Sequence, residues 1–263
     1  MPLLEHIAEF RSRLLKSAVA IVACMGLVFW FYQPVYDFLR EPYCRSSVSH
    51  GHCSLYVLDV FGQFKVRLRV AGIGGVVLAA PIWLYQLGAF ITPALHRKEK
   101  RYAAAFLTAS LALFGLGAFF AYITIDKGLE FLLTVGGDGV VNLTGLQSYL
   151  SFVTLTLLAF GVAFEFPVVV VFLNVVGVLS ADRLIAMRRG MIVGLAFFSA
   201  VITPSTDPFT FFAMAIPLWV LYEVCIVIAR VRARGARRRQ DEGDHEALSD
   251  DEAAPLDTTP SQL

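Results

Sequence analysis

Charge is what this sequence has least of. Asp, Glu, Lys and Arg make up only 16% of its 263 residues, while 57% are hydrophobic. A soluble domain is about a quarter charged, so this balance, with a mean hydropathy of +0.67, excludes an ordinary cytosolic enzyme. Catalytic signatures are missing too. There is no Gly-rich phosphate loop ending in Lys-Ser/Thr, no His-Glu-x-x-His, and no Gly-x-Ser-Gly of an intramembrane serine protease. Nucleotide-driven transport, zinc proteolysis and serine proteolysis lose their chemistry with these motifs. Neither a cofactor nor a nucleic-acid partner is expected, and the composition is that of a membrane protein.

The formal net charge of +1 hides two unlike regions. All 22 Lys and Arg precede residue 240 and face 13 acids there, whereas residues 241–263 hold the other eight acids and no base. That last stretch is rich in Asp, Glu, Pro, Thr and Ser and too polar to bury a core. Residues 1–239 are therefore expected to form the membrane domain, and 240–263 an acidic disordered tail.

A spanning helix needs about 20 apolar residues to cross about 30 Å of hydrocarbon. Six stretches qualify, at roughly 14–33, 68–90, 102–123, 148–176, 190–202 and 209–229. The first reads as a span, not a removed signal peptide, for it lacks a small-residue cleavage site. Sixteen of the 22 bases fall on the side shared by the termini and even-numbered loops, which places both termini in the cytoplasm. The cluster Lys65, Arg67 and Arg69 runs against this trend and is expected to snorkel at the mouth of the second span. The fourth stretch is long enough that it must tilt or bend. The fifth is too short to span upright, and spans five and six read as a short hairpin in which Pro217 should kink the sixth. Segment 34–64 is expected to carry short helices on the outer surface.

Cys44 and Cys53 share the outer loop, an oxidising location, and form a candidate disulfide; two free thiols is the alternative. Cys24 and Cys225 lie within spans and read as packing residues. His52 beside Cys53 lacks the paired spacing of four-coordinate zinc, so no metal site is expected.

Carboxylates at membrane depth are the remaining chemistry. Glu165 lies near the middle of span four, where a carboxylate is costly unless it faces water, is partnered or stays protonated. A functional role is the default; a protonated Glu bonded to a carbonyl freed by Pro167 is the alternative. Glu223 in span six is a second such residue, for which a snorkelled pair with Arg230 weighs equally. Glu9 and Glu99 lie at the cytoplasmic surface among bases. Alone they are solvated charges, yet a carboxylate oriented by bases also suits bidentate recognition of an incoming guanidinium.

The segments Leu4-Glu5-His6-Ile7-Ala8-Glu9-Phe10-Arg11-Ser12-Arg13-Leu14, Ala80-Pro81-Ile82-Trp83-Leu84-Tyr85-Gln86-Leu87-Gly88-Ala89-Phe90-Ile91-Thr92-Pro93-Ala94-Leu95 and Arg97-Lys98-Glu99-Lys100-Arg101 resemble the TatC family, the multispanning receptor subunit of the twin-arginine protein translocase. So do Ser148-Tyr149-Leu150-Ser151-Phe152, Phe160-Gly161-Val162-Ala163-Phe164-Glu165-Phe166-Pro167, Ile202-Thr203-Pro204 and Ala215-Ile216-Pro217-Leu218. The resemblance implies an all-α integral membrane fold, six helices in a concave glove-like arrangement with both termini cytoplasmic and short fifth and sixth spans. It implies a receptor in the bacterial cytoplasmic membrane that binds twin-arginine signal peptides of folded proteins, oligomerises, and works with TatA- and TatB-like single-span subunits on the proton-motive force. Glu9 and Glu99 match the acids that grip the arginines; Arg11, Phe90, Leu95, Arg97 and Arg101 match the surrounding surface. Glu165 matches a polar residue facing the membrane-embedded pocket, and Asp207 an acid after span five. Where many members have Thr-Pro-Pro-Asp and then Gln, this chain has Thr203-Pro204-Ser205-Thr206-Asp207, so the partner contact would be rebuilt around Thr203 and Thr210. The competing reading from another class is a proton-coupled small-solute carrier using Glu165, against which the lack of an internal repeat counts.

Overall fold

The computed structural model describes residues 3–45, 55–57, 59–91, 100–134, 145–204 and 207–247. They form ten helices: α1 Leu3–Trp30, α2 Tyr32–Arg45, α3 Gly62–Leu78, α4 Ala80–Ile91, α5 Lys100–Thr134, α6 Leu146–Ala163, α7 Phe166–Val175, α8 Ala181–Ala186, α9 Arg188–Ile202 and α10 Pro208–Ala247. A bridge between Tyr56 and Gly145 is the one β-type contact among the described residues.

Four continuous stretches, Ile7–Trp30, Ala104–Leu132, Leu146–Val175 and Pro208–Ala236, are long and apolar enough to cross a membrane, and α3 with α4 supplies a fifth as a pair bent by 53°. The protein is an all-helical integral membrane protein. Helix α9 has 15 residues, about 22 Å at 1.5 Å per residue, short of the hydrocarbon thickness. The sixth span lies in α10, which runs for 40 residues, passes through Pro217 without ending and extends into the charged stretch that follows. It also continues past the boundary expected at Arg239, because Arg, Gln, Glu and Ala are good helix formers whatever their charge. Residues 248–263 lie outside the described set.

Two prolines break spans by one mechanism. Proline has no N–H, and its ring collides with the carbonyl four residues earlier. Pro81 follows the break at Ala79, where Trp83 bridges the two pieces by donating its indole N–H to the Val76 carbonyl at 3.0 Å. Pro167 follows the break at Phe164 and Glu165, where the Glu165 N–H reaches back three residues to Val162 at 3.1 Å.

Packing divides into two large cores and a small one of Ala80, Leu84 and Phe114. Toward one end, α2, α3, α5 and α6 enclose Leu39, Val70, Ile125, Tyr149 and Leu150. The Tyr149 hydroxyl donates to the Leu39 carbonyl at 2.8 Å and accepts from the Tyr43 N–H at 3.2 Å, fastening α2 to α6. Toward the other end, α6–α10 close around Phe160, Phe164, Met214, Leu218 and Tyr222. Lipid tails are as apolar as leucine, so close contact rather than hydrophobic force must hold the spans together. Gly117 of α5 allows it: a Cβ there would sit 2.6 Å from the Phe160 carbonyl oxygen.

Candidate functional site

The first candidate site forms where α1 begins and α4 ends. Phe10 and Phe90 pack with ring centroids 5.2 Å apart, which brings the 4–14 motif against the end of the 80–95 motif. One turn of helix sets Arg13 beside Glu9, and its Nη2 and Nε both donate to Glu9 Oε1, at 2.6 and 3.0 Å. Glu9 is thus oriented through one oxygen, while Oε2 accepts no hydrogen bond from the described residues. Arg11 is exposed on the same helix, and Arg101 lies in the first turn of α5. Glu99, Leu95 and Arg97 lie outside the described residues.

Glu165 is the second. It sits in the α6–α7 break with 8% of its surface exposed, and the Ser110 hydroxyl of α5 is close enough to act on its carboxyl. Neither Glu165 Oε1 nor Ser110 Oγ makes a hydrogen bond of ordinary geometry. The carbonyl of Pro167 accepts a weak bond from Cys225 Sγ at 3.5 Å, so α10 closes over this break. Ser110, in an apolar run that also holds Thr108, was not singled out from sequence; only its polarity within a span could have marked it.

The α9–α10 turn is the third. Asp207 is buried and caps α10, its Oδ1 accepting from the Thr210 N–H at 2.6 Å. Asp207 Oδ2, Thr210 Oγ1 and Ser199 Oγ are buried without hydrogen-bond partners among the described residues. The Thr203 hydroxyl returns to the Ser199 carbonyl at 2.8 Å. Ser199, four residues before Thr203 and so on its face of the helix, is the residue sequence reading missed here. The expected partners Thr203, Asp207 and Thr210 do share this one end.

Glu223 does not pair with Arg230. Its Oε1 accepts from Arg188 Nε of α9 at 2.6 Å, because the returning hairpin sets Arg188 beside it. Cys44 is disulfide-bonded, and its expected partner Cys53 lies outside the described residues; Cys24 and Cys225 are free thiols. The basic trio does not simply snorkel: Arg67 stacks over Phe29 and Tyr32 at 4.8 and 5.3 Å, and Arg69 donates to the Gln147 carbonyl at 3.0 Å. No group of His, Cys, Asp and Glu capable of holding a metal occurs among the described residues.

Comparisons with known proteins agree along nearly the whole chain. Residues 5–217 match the family described as "TatC: Sec-independent protein translocase protein (TatC)". The chain is 41% identical to the Sec-independent protein translocase protein TatC of Frankia casuarinae, over 98% of this chain and 73% of that one. It is 36% identical to the protein of the same name from Aquifex aeolicus, over 91% and 99% respectively. A crystal structure of the twin arginine translocase receptor TatC in DDM superposes with a TM-score of 0.73 at 35% identity, covering 85% of this chain and 99% of that one. The chain belongs to the TatC family, membrane-integral components of the Sec-independent protein translocase.

Proposed function

We propose that this chain is the receptor core of a twin-arginine translocase in the bacterial cytoplasmic membrane, with both termini inside. It binds the paired arginines of signal peptides on folded proteins and assembles with copies of itself and with TatA- and TatB-like single-span subunits. Proton-motive force drives export.

The observation that carries this reading is the half-occupied carboxylate of Glu9. Arg13 holds one oxygen at 2.6 Å and leaves the other open at a surface joined by Phe10 and Phe90. An oriented carboxylate with an oxygen that accepts no hydrogen bond from the described residues suits a guanidinium better than an ammonium, since the fork can engage it with two parallel donors. Glu99 is assigned the second arginine, with Arg11, Leu95, Arg97 and Arg101 around it. The unpartnered Asp207 and Thr210 oxygens, with Thr203, are assigned to a polar group of a single-span subunit. Glu165 faces the membrane-embedded part of the path. Membership of a protein-translocase family leaves the solute-carrier reading without support.

A photocrosslinker at Glu99 should capture a twin-arginine signal peptide. The pair Glu9→Ala with Glu99→Ala should abolish both capture and export, and unchanged capture would sink the assignment. A Lys–Lys signal should bind more weakly, by up to about fivefold per arginine if each exposed pair is worth about 0–1 kcal/mol and by more where the pair is desolvated.

A further inference from the structure

At the end of the bundle away from Glu9, the first halves of α3 and α6 run side by side and enclose two adjoining cavities of about 190 and 430 Å³. Lys65 and Arg69 line both, so the two are one cleft. Its narrow part is polar, lined by Gln147, Ser148 and Ser151. Its wide part is walled by Leu68, Ile73 and Leu158 over Gly72.

Positive charge collects at the polar part from three sources. Lys65 and Arg69 are one turn apart and share a face of α3. Lys65 is offset by a hydrogen-bonded ion pair with Asp59. Arg69 is not offset: it donates to the neutral Gln147 carbonyl and Ser151 hydroxyl, and has no carboxylate partner among the described residues. The third source is the start of α6, whose N-cap Gly145 has no side chain to accept from the first turn, although the Tyr56 carbonyl takes the Leu146 N–H at 2.9 Å. Below this end the cleft turns apolar and stays open, since a Cβ built at Gly72 would meet nothing within 4 Å.

A dissolved anion would fill the narrow part and leave the apolar trough bare. An amphiphile covers both. We propose that this cleft binds an anionic phospholipid of the leaflet opposite the N terminus, its phosphate at Lys65, Arg69 and the start of α6, one acyl chain lying along Leu68, Ile73 and Leu158. The basic trio that opposes the orientation rule thereby has a use: Lys65 and Arg69 hold the headgroup, while Arg67 is turned away onto Phe29 and Tyr32.

Native mass spectrometry of the full chain released from detergent tests this, with phosphatidylglycerol and phosphatidylcholine of matched chains. Phosphatidylglycerol should be retained about tenfold better, and excess inorganic phosphate should not displace it. Lys65→Gln and Arg69→Gln should each remove the preference; Arg67→Gln should keep it. Because Arg69 also ties α3 to α6, Gly72→Leu is the decisive variant. Its Cβ enters open space and the change alters no charge, so the side chain should occupy the trough and lower retention of both lipids at unchanged melting temperature. Equal retention of the two lipids by the unaltered chain, full retention by Gly72→Leu, or displacement by phosphate, which marks a free-anion site, would each overturn the proposal.

Discussion

Helix α1 and the α6–α7 pair are both apolar spans, yet they stand in opposite surroundings. Within the most apolar window of each, 6% of α1 is buried in the protein against 67% of Leu146–Val175. Leu15, Val19 and Val22 of α1 face outward, whereas Phe160 and Phe164 are enclosed by α5 and α10. Hydropathy alone does not distinguish the two. The difference is made by small residues and interruptions: Gly117 lets α5 close on α6, and Pro167 opens the turn that holds Glu165. The fold is built around α6–α7, and α1 carries the proposed recognition residue Glu9 on a helix whose apolar window is mostly uncovered.

The largest effect that separates them is truncation of a side chain. Phe164→Ala should cost about 3–5 kcal/mol, since the ring is fully enclosed and a cavity remains. Val22→Ala, exposed on α1, should stay within about 0.5 kcal/mol. Thermal unfolding in detergent measures both, and equal losses would break the comparison. Next, Gly117→Ala should cost about 1–3 kcal/mol, because the obstacle is a backbone oxygen that cannot rotate aside. A neutral result would mean that α5 shifts freely on α6.

Much of this organisation was legible beforehand, and the failures have physical causes. Spans one, three, four and six follow from continuous apolar runs, and the length of the fourth correctly implied a bend. The break at Ala79 was missed, although Pro81 stood in the sequence, because the apolar run continues on both sides and hydropathy is blind to a missing N–H. Length was misjudged for α10, since its polar second half folds on helix propensity that a hydrophobicity reading ignores. At the sites, Glu165 was visible as a misplaced charge, and Asp207 through the family resemblance. Ser110 and Ser199 were not, because a hydroxyl within a span carries no such signal, and Arg188 as the partner of Glu223 depends on where the hairpin returns.

Smaller effects test the two proposed binding sites, at the α9–α10 turn and at the start of α1. Asp207→Ala should cost about 0.5–2 kcal/mol by removing the N-cap of α10, and Asp207→Asn should keep most of it, since an amide oxygen can still accept from the Thr210 N–H. Glu9→Gln should move stability by less than about 1 kcal/mol, because its bond to Arg13 is an i,i+4 pair near the surface. The same change should lose signal-peptide capture. A large drop in melting temperature would show that Glu9 supports α1 itself.

The smallest effect separates the solvated rim from both helices. The Lys65 ammonium, hydrogen-bonded to Asp59, holds that carboxyl below the usual 3.8. A depressed carboxyl stabilises the fold fully at pH above 3.8 and loses that contribution as pH falls through its folded-state value. The pair is exposed on both sides, so salt should screen it. Carbon-13 titration of aspartate carboxyls should place Asp59 below 3.8 in the unaltered chain, and Lys65→Gln should raise it, because the remaining influence on it includes desolvation. An unmoved midpoint would show that the ion pair does not set the charge at this rim.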